Sequence, residues 1–224
     1  MFIGHFALGM AAKRAAPETS LGTLFAAAQW VDLVWPALVL LGVEKVRVDP
    51  GNTAFTPLDF ESYPWTHSLL MVAVWAVGFG LVYRARTGYA RGTWTVGLLV
   101  VSHWLLDLVT HRPDLPLAPG APKVGLGLWS SVPATLVVEG TLFAAGVVLY
   151  ATGTRARNRT GRLAFWALVV VLVTLYVLNL GPPPPSARAV AAAGLLMWLF
   201  IAWGAWIDRN REPATAAAPV APPG

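Results

Sequence analysis

Six stretches of the chain are long and apolar: residues 20–43, 66–83, 92–110, 129–151, 163–181 and 187–207. Each approaches the roughly 20 residues that a helix needs to cross a bilayer. Short runs rich in Arg, Pro and Gly separate them. The pattern predicts six transmembrane helices. Residues 2–12 are apolar as well but too short to cross, so they are expected to form a half-membrane or re-entrant helix. The sixth stretch starts only after the Pro182–Pro185 run, which no helix interior tolerates. The expected fold is all-α, a polytopic membrane bundle over residues 1–208. An Ala/Pro-rich tail, 209–224, is expected to be disordered.

Composition supports this reading. Of 224 residues, 56% are hydrophobic and 12% charged, where a soluble domain carries about 25% charged residues. The eleven tryptophans suit membrane interfaces. The absence of cysteine excludes disulfides, thiolate metal sites and cysteine nucleophiles. No basic residue precedes the first apolar stretch, and Lys13-Arg14 follow it, which argues against a cleavable signal peptide.

The net charge of +5 does not indicate nucleic acid, because the basic residues lie in short runs between apolar stretches. They read instead as topology determinants. Lys13, Arg14, Arg84, Arg86, Arg91, Arg155, Arg157, Arg159, Arg162, Arg209 and Arg211 fall on one side, eleven of the sixteen Lys and Arg. Lys45, Arg47, Arg112, Lys123 and Arg188 fall on the other. Both termini are therefore expected in the cytoplasm of a bacterial inner membrane, with loops 44–65, 111–128 and 181–186 facing outward.

Ionisable residues within the spans are costly in lipid and mark function by default. All four histidines belong to this set: His5, His67, His103 and His111, with Asp32, Asp107 and Glu139. Depth follows from 1.5 Å per helical residue, counted from the basic ends: about 12 Å for His5, 18 Å for Asp32 and His103, 24 Å for Asp107 and Glu139, and 26 Å for His67. Four elements thus bring acids and imidazoles to one layer in the outer half of the bundle. In "SHWLLDLVTH" His103, Asp107 and His111 follow at i, i+4 and i+8 along one helix face. Such nitrogen and oxygen donors suit a divalent metal, zinc or manganese, and spare carboxylates could activate water. His111 also stands where a helix would end before Arg112-Pro113. The acids Asp49, Asp59, Glu61 and Asp114 are expected to be solvated in loops.

The order "GHFALG" (4–9), "AAQWVDLVWP" (27–36), "YPWTHSLL" (63–70) and "SHWLLDLVTH" (102–111) resembles the bacterial membrane-bound metal-dependent hydrolases, which are distantly similar to zinc-dependent phospholipase C. The resemblance covers about the first 140 residues. It implies His5, Asp32, His67, His103 and Asp107 as metal ligands, with Glu139 and His111 as neighbours. The chain departs from it at Trp30-Val31-Asp32-Leu33, which has one acid where the family pattern has two and no preceding proline. That weighs against a second metal.

Two classes of function follow. The first is a hydrolase acting on a lipid or lipid-linked phosphate or ester, with Asp32 and Glu139 as candidate catalytic acids. The second is a transporter or ion pathway using the same residues. A bis-histidine haem site fits less well, because it has no use for Asp32 and Asp107. Confinement of the ionisable residues to one layer favours the hydrolase, since a proton path would run across the membrane.

Overall fold

A computed structural model describes residues 1–214. Five of its helices are long and apolar enough to cross a membrane, and six if one bent pair is counted as a span. Helix α1, Ile3–Ala15, is about 20 Å long and too short to cross. The apolar stretch 20–43 is not one straight helix. It is α2, Leu21–Ala28, and α3, Trp30–Leu40, which meet at 57°. Gln29 at the joint leaves the helical region, with ψ near 7°. The bend places Asp32 in the first turn of α3.

A short helix α4, Pro64–His67, precedes α5, Leu69–Thr87. Ser68 caps α5 by accepting the Met71 N–H, and Gly88 closes it in the left-handed conformation. Helix α6, Ala90–Thr110, runs back and ends at His111, before Pro113. Helices α7, Val132–Gly153, and α8, Arg159–Leu178, follow. After the proline run come α9, Ala187–Leu195, and α10, Met197–Arg209, which together make one span. Large apolar residues such as Val77, Leu81, Leu98 and Val170 are more than half exposed. On a bundle whose backbone is satisfied within its helices, they form the surface that meets lipid.

Helix α1 is held in the centre of the bundle, chiefly against α7. A Cβ on Gly146 of α7 would stand 2.5 Å from the Ala7 carbonyl oxygen, so the crossing is set by backbone approach. At one end of the bundle lie the basic residues of α1, α5, α8 and α10. There Lys13 Nζ donates to Thr19 O at 2.8 Å and to Asp208 Oδ2 at 2.7 Å. Arg14 donates to Leu149 O and Thr152 Oγ1 on α7. Met1, expected with the basic residues on the cytoplasmic side, lies instead in the interior beside Asp107, and α1 runs from there to Lys13 and Arg14 at the basic end.

Two residue ranges behave differently from expectation. Arg211–Pro213, inside the stretch expected to be a disordered tail, pairs antiparallel with Thr154–Ala156. The rest of that tail, 215–224, lies outside the described residues. At the opposite end, Lys45–Val48 pairs with Leu58–Ser62, and Leu115–Pro116 with Lys123–Val124. Asp59 and Asp114, expected in solvent, are buried. Asp59 takes Arg47 Nη2 at 2.8 Å and pairs with Arg112. Glu61 remains exposed and Asp49 is partly exposed.

Candidate metal centre

Four elements converge on the site. Helix α1 brings His5, the first turn of α3 brings Asp32, α4 ends on His67, and α6 supplies His103 and Asp107 one turn apart. Two sets of three have their ligand atoms mutually within 4.8 Å: His5, His103 and Asp107, and Asp32, His67 and His103. His103 is common to both. The His5 and His103 rings stack at 3.6 Å, 4° from parallel.

Hydrogen bonds define the tautomers of two of these histidines. His103 Nδ1 lies 2.8 Å from the Ala28 carbonyl, which can only accept, so Nδ1 carries the proton. Its Nε2 then presents a lone pair 3.1 Å from Asp107 Oδ2 and 3.6 Å from Asp32 Oδ2. His67 follows the same logic through a relay. The single hydroxyl proton of Thr66 goes to Glu44 Oε2 at 2.7 Å, so Thr66 Oγ1 accepts from His67 Nδ1 at 2.7 Å. His67 Nε2 is left facing Asp32 Oδ1 at 3.2 Å and Asp107 Oδ2 at 3.9 Å. In neutral rings, acceptor nitrogens thus point at acceptor oxygens, and only a cation or added protons reconcile them. His5 Nε2 is 3.1 Å from Asp107 Oδ1, and its Nδ1 is buried without a partner among the described residues. The Met1 backbone nitrogen also donates to Asp107 Oδ1, at 2.6 Å.

Glu44 and Thr66 buttress the cluster, and the sequence did not single them out. Glu44 sits just after α3 in "GVEKV" and reads there as a loop acid. It is fully buried instead. Helix α4 begins with Pro64, which has no N–H, and Tyr63 offers no side-chain cap. Glu44 Oε1 supplies that cap from a distance, taking the N–H groups of Trp65 at 2.8 Å and Thr66 at 2.9 Å. The same carboxylate therefore fixes both the helix and, through Thr66, the ring of His67.

Glu139 and His111 are not brought into either set. Glu139 is buried on α7, where its Oε2 accepts the Phe2 N–H at 3.0 Å. It therefore braces the start of α1. His111 lies past the end of α6, where the chain turns away. Its Nδ1 is 2.9 Å from Asp114 Oδ1, and its ring packs on Phe60 and Trp129. Tyr63 Oη donates to the same Asp114 oxygen at 3.2 Å, and Arg112 Nε donates to Oδ2 at 3.2 Å. Burial pushes the Asp114 carboxyl up, but the His111, Arg112 and Tyr63 hydrogen bonds outweigh it and hold the group below the ordinary carboxylate range. Burial and the Asp114 charge push the Tyr63 phenol well above its usual value, so it remains a donor.

A cavity of about 940 Å³ reaches the cluster. Its polar end is formed by Asp32, His67, Asp107 and His111. Its apolar body is lined by residues such as Leu175 and Leu178 of α8, Val190 of α9, and Met197 and Phe200 of α10. The prolines 182, 184 and 185 lie along it. Both cluster acids line the cavity, Asp32 the more openly, at 29% side-chain exposure against 2% for Asp107.

Fold and site together define a helical membrane protein with a buried histidine–carboxylate cluster that could hold a metal ion. Residues 63–182 match the YdjM inner membrane protein family. This is more than half of the chain, and the chain belongs to that family. The matched stretch contains His67, His103, Asp107, His111 and Glu139, while His5 and Asp32 precede it. Neither the curated proteins nor the solved structures contain a match to this chain.

Proposed function

We propose that the protein is a metal-dependent hydrolase embedded in the bacterial inner membrane, acting on a lipid or lipid-linked phosphate or ester. One observation carries this reading: the Nε2 lone pairs of His67 and His103 converge with the carboxylates of Asp32 and Asp107, while the far nitrogen of each ring is pinned by Thr66 or the Ala28 carbonyl. Ligating histidines are commonly held by such outer partners. The donors are nitrogen and oxygen, as zinc or manganese prefers. His67, His103, Asp32 and Asp107 would hold the ion, with His5 against Asp107 and His103. A bound divalent ion polarises a phosphoryl or carbonyl oxygen and makes water nucleophilic at neutral pH. Asp32, open to the cavity, receives the proton of the attacking water. The cavity size lies within the range of small-molecule sites, and its apolar body suits acyl chains.

The reading also places the arginine-rich end in the cytoplasm and the site in the outer half of the membrane, by the positive-inside rule. A reporter inserted at Gly51 should be active outside the cell, and a C-terminal fusion inside. The catalytic part is tested by reconstituting the protein in vesicles of phosphatidylethanolamine and phosphatidylglycerol. Product should form with zinc, cease with chelator, and be absent for Asp32→Asn. Ion or proton flux without any product would favour a transporter.

A further inference from the structure

The His111–Asp114 pair is built like a proton-transfer unit and lies outside the metal cluster. Arg112 Nε pairs with Asp114 Oδ2, so Asp114 stands as a carboxylate and its Oδ1 only accepts, from His111 Nδ1 at 2.9 Å and from Tyr63 Oη at 3.2 Å, with Tyr63 Oη itself 3.2 Å from His111 Nδ1. The proton between ring and carboxylate therefore belongs to Nδ1. Arg112 holds the other carboxylate oxygen, so Asp114 cannot swing away. Phe60 and Trp129 clamp the ring, and the His111 carbonyl accepts the Gly127 N–H at 2.7 Å. A Cβ at Gly125 would collide with the carbonyls of His111 and Arg112, so this loop must pass against the turn as glycine. Every contact orients the ring, and all of its polar contacts are through Nδ1. His111 Nε2 has no hydrogen-bond partner among the described residues, and the residue lines the same cavity as Asp32, His67 and Asp107.

We propose that His111 is the proton donor to the leaving group in this cavity and that Asp114 is its positioning residue, not that His111 is a metal ligand. The proposal rests on the hydrolase reading. As the oxygen of water bonds to phosphorus or to the acyl carbon, the bond to the leaving oxygen breaks. That oxygen takes the proton from Nε2 of the imidazolium, whose Nδ1–H stays on Asp114. The proton lost by water goes to Asp32 and returns through solvent to His111, so the cycle consumes one water and leaves both groups unchanged. The ionisable groups around the ring are Asp114, Tyr63 and Arg112 on its own side, and Asp32, His67 and Asp107 across the cavity.

The test uses the full chain reconstituted in the same vesicles with zinc added. His111→Gln should keep the zinc occupancy of the wild type and lower product formation from the phosphatidylglycerol vesicles at least about a hundredfold, the usual scale of a lost general acid. Nitrogen-15 NMR of the labelled imidazoles gives a second readout. His111 should show a single neutral tautomer with the proton on Nδ1, and Asp114→Ala should release it to a mixture of tautomers. Zinc lost in His111→Gln as fully as in His103→Ala would make His111 a ligand and overturn the proposal. So would an unchanged tautomer in Asp114→Ala. Absence of zinc and product in the wild type would instead sink the hydrolase reading, and the donor role with it.

Discussion

The basic end of the bundle and its centre both bury charge, but they resolve it differently. At the basic end donors meet acceptors. Lys13 is 5% exposed and donates to Asp208 and Thr19, Arg211 donates to Thr154, and Arg155 to Glu212. In the centre the Met1 amine meets one oxygen of Asp107, but the other Asp107 oxygen and the Asp32 carboxylate face two imidazole lone pairs, held there by Glu44, Thr66 and the Ala28 carbonyl. Buried ionic groups that match are structural. Buried groups that are firmly positioned and do not match imply a third party.

The contrast can be broken by asking which region responds to metal. Zinc at about a hundred times its dissociation constant should stabilise the wild type by about 3 kcal/mol, seen as a rise in melting temperature in detergent. His103→Ala should lose that rise, and Asp208→Ala should keep it. If Asp208→Ala abolishes the zinc response, the two regions are not independent.

Asp208→Ala strands the Lys13 ammonium with only the Thr19 carbonyl. Leaving one charge of a buried pair uncompensated costs about 3 kcal/mol. The loss should be equal with and without zinc when unfolding is followed by denaturant titration.

Glu44→Gln sharpens the comparison, because it touches no candidate ligand. The amide keeps one acceptor oxygen for the helix cap, but its NH₂ faces the Thr66 hydroxyl and reverses the relay to His67. Zinc affinity should fall about 10-fold to 100-fold, as for other outer-shell changes. Competition with a fluorescent chelator would measure it, and an unchanged affinity would remove Glu44 from the site.

Smaller effects belong to the rims. Asp114 has a folded pKa below its unfolded value, so its contribution is present above the unfolded value and is lost as pH falls through the folded one. Melting temperature should therefore decline with acid in the wild type more than in Asp114→Asn. Arg155, half exposed in its pair with Glu212, should cost less than about 1 kcal/mol when changed to Ala.

Much of the architecture was legible from apolar length, since the long helices lie within the six apolar stretches or a few residues beyond them. Counting depth at 1.5 Å per residue put His5, Asp32, His67, His103 and Asp107 in one layer, and the structure brings these five side chains together. What depth cannot report is direction around the axis or a change of path. The bend at Gln29 turns one expected span into two helices, and nothing in an apolar run marks it. His111 continues the i, i+4, i+8 row on paper. The helix ends at Thr110, so the third member leaves the face and joins Asp114. Asp59 and Asp114 were expected in solvent, and Glu44 was not singled out, because burial by chain segments distant in sequence leaves no local trace.

The central claim is that the central mismatch is reconciled by a divalent ion and not by protons on the rings. Elemental analysis of protein purified without added metal tests it most directly, with His103→Ala prepared in parallel. The account predicts close to one divalent transition metal per chain in the wild type and less than a tenth of that in His103→Ala. Equal metal in the two proteins, or none in the wild type even after dialysis against zinc, would contradict it.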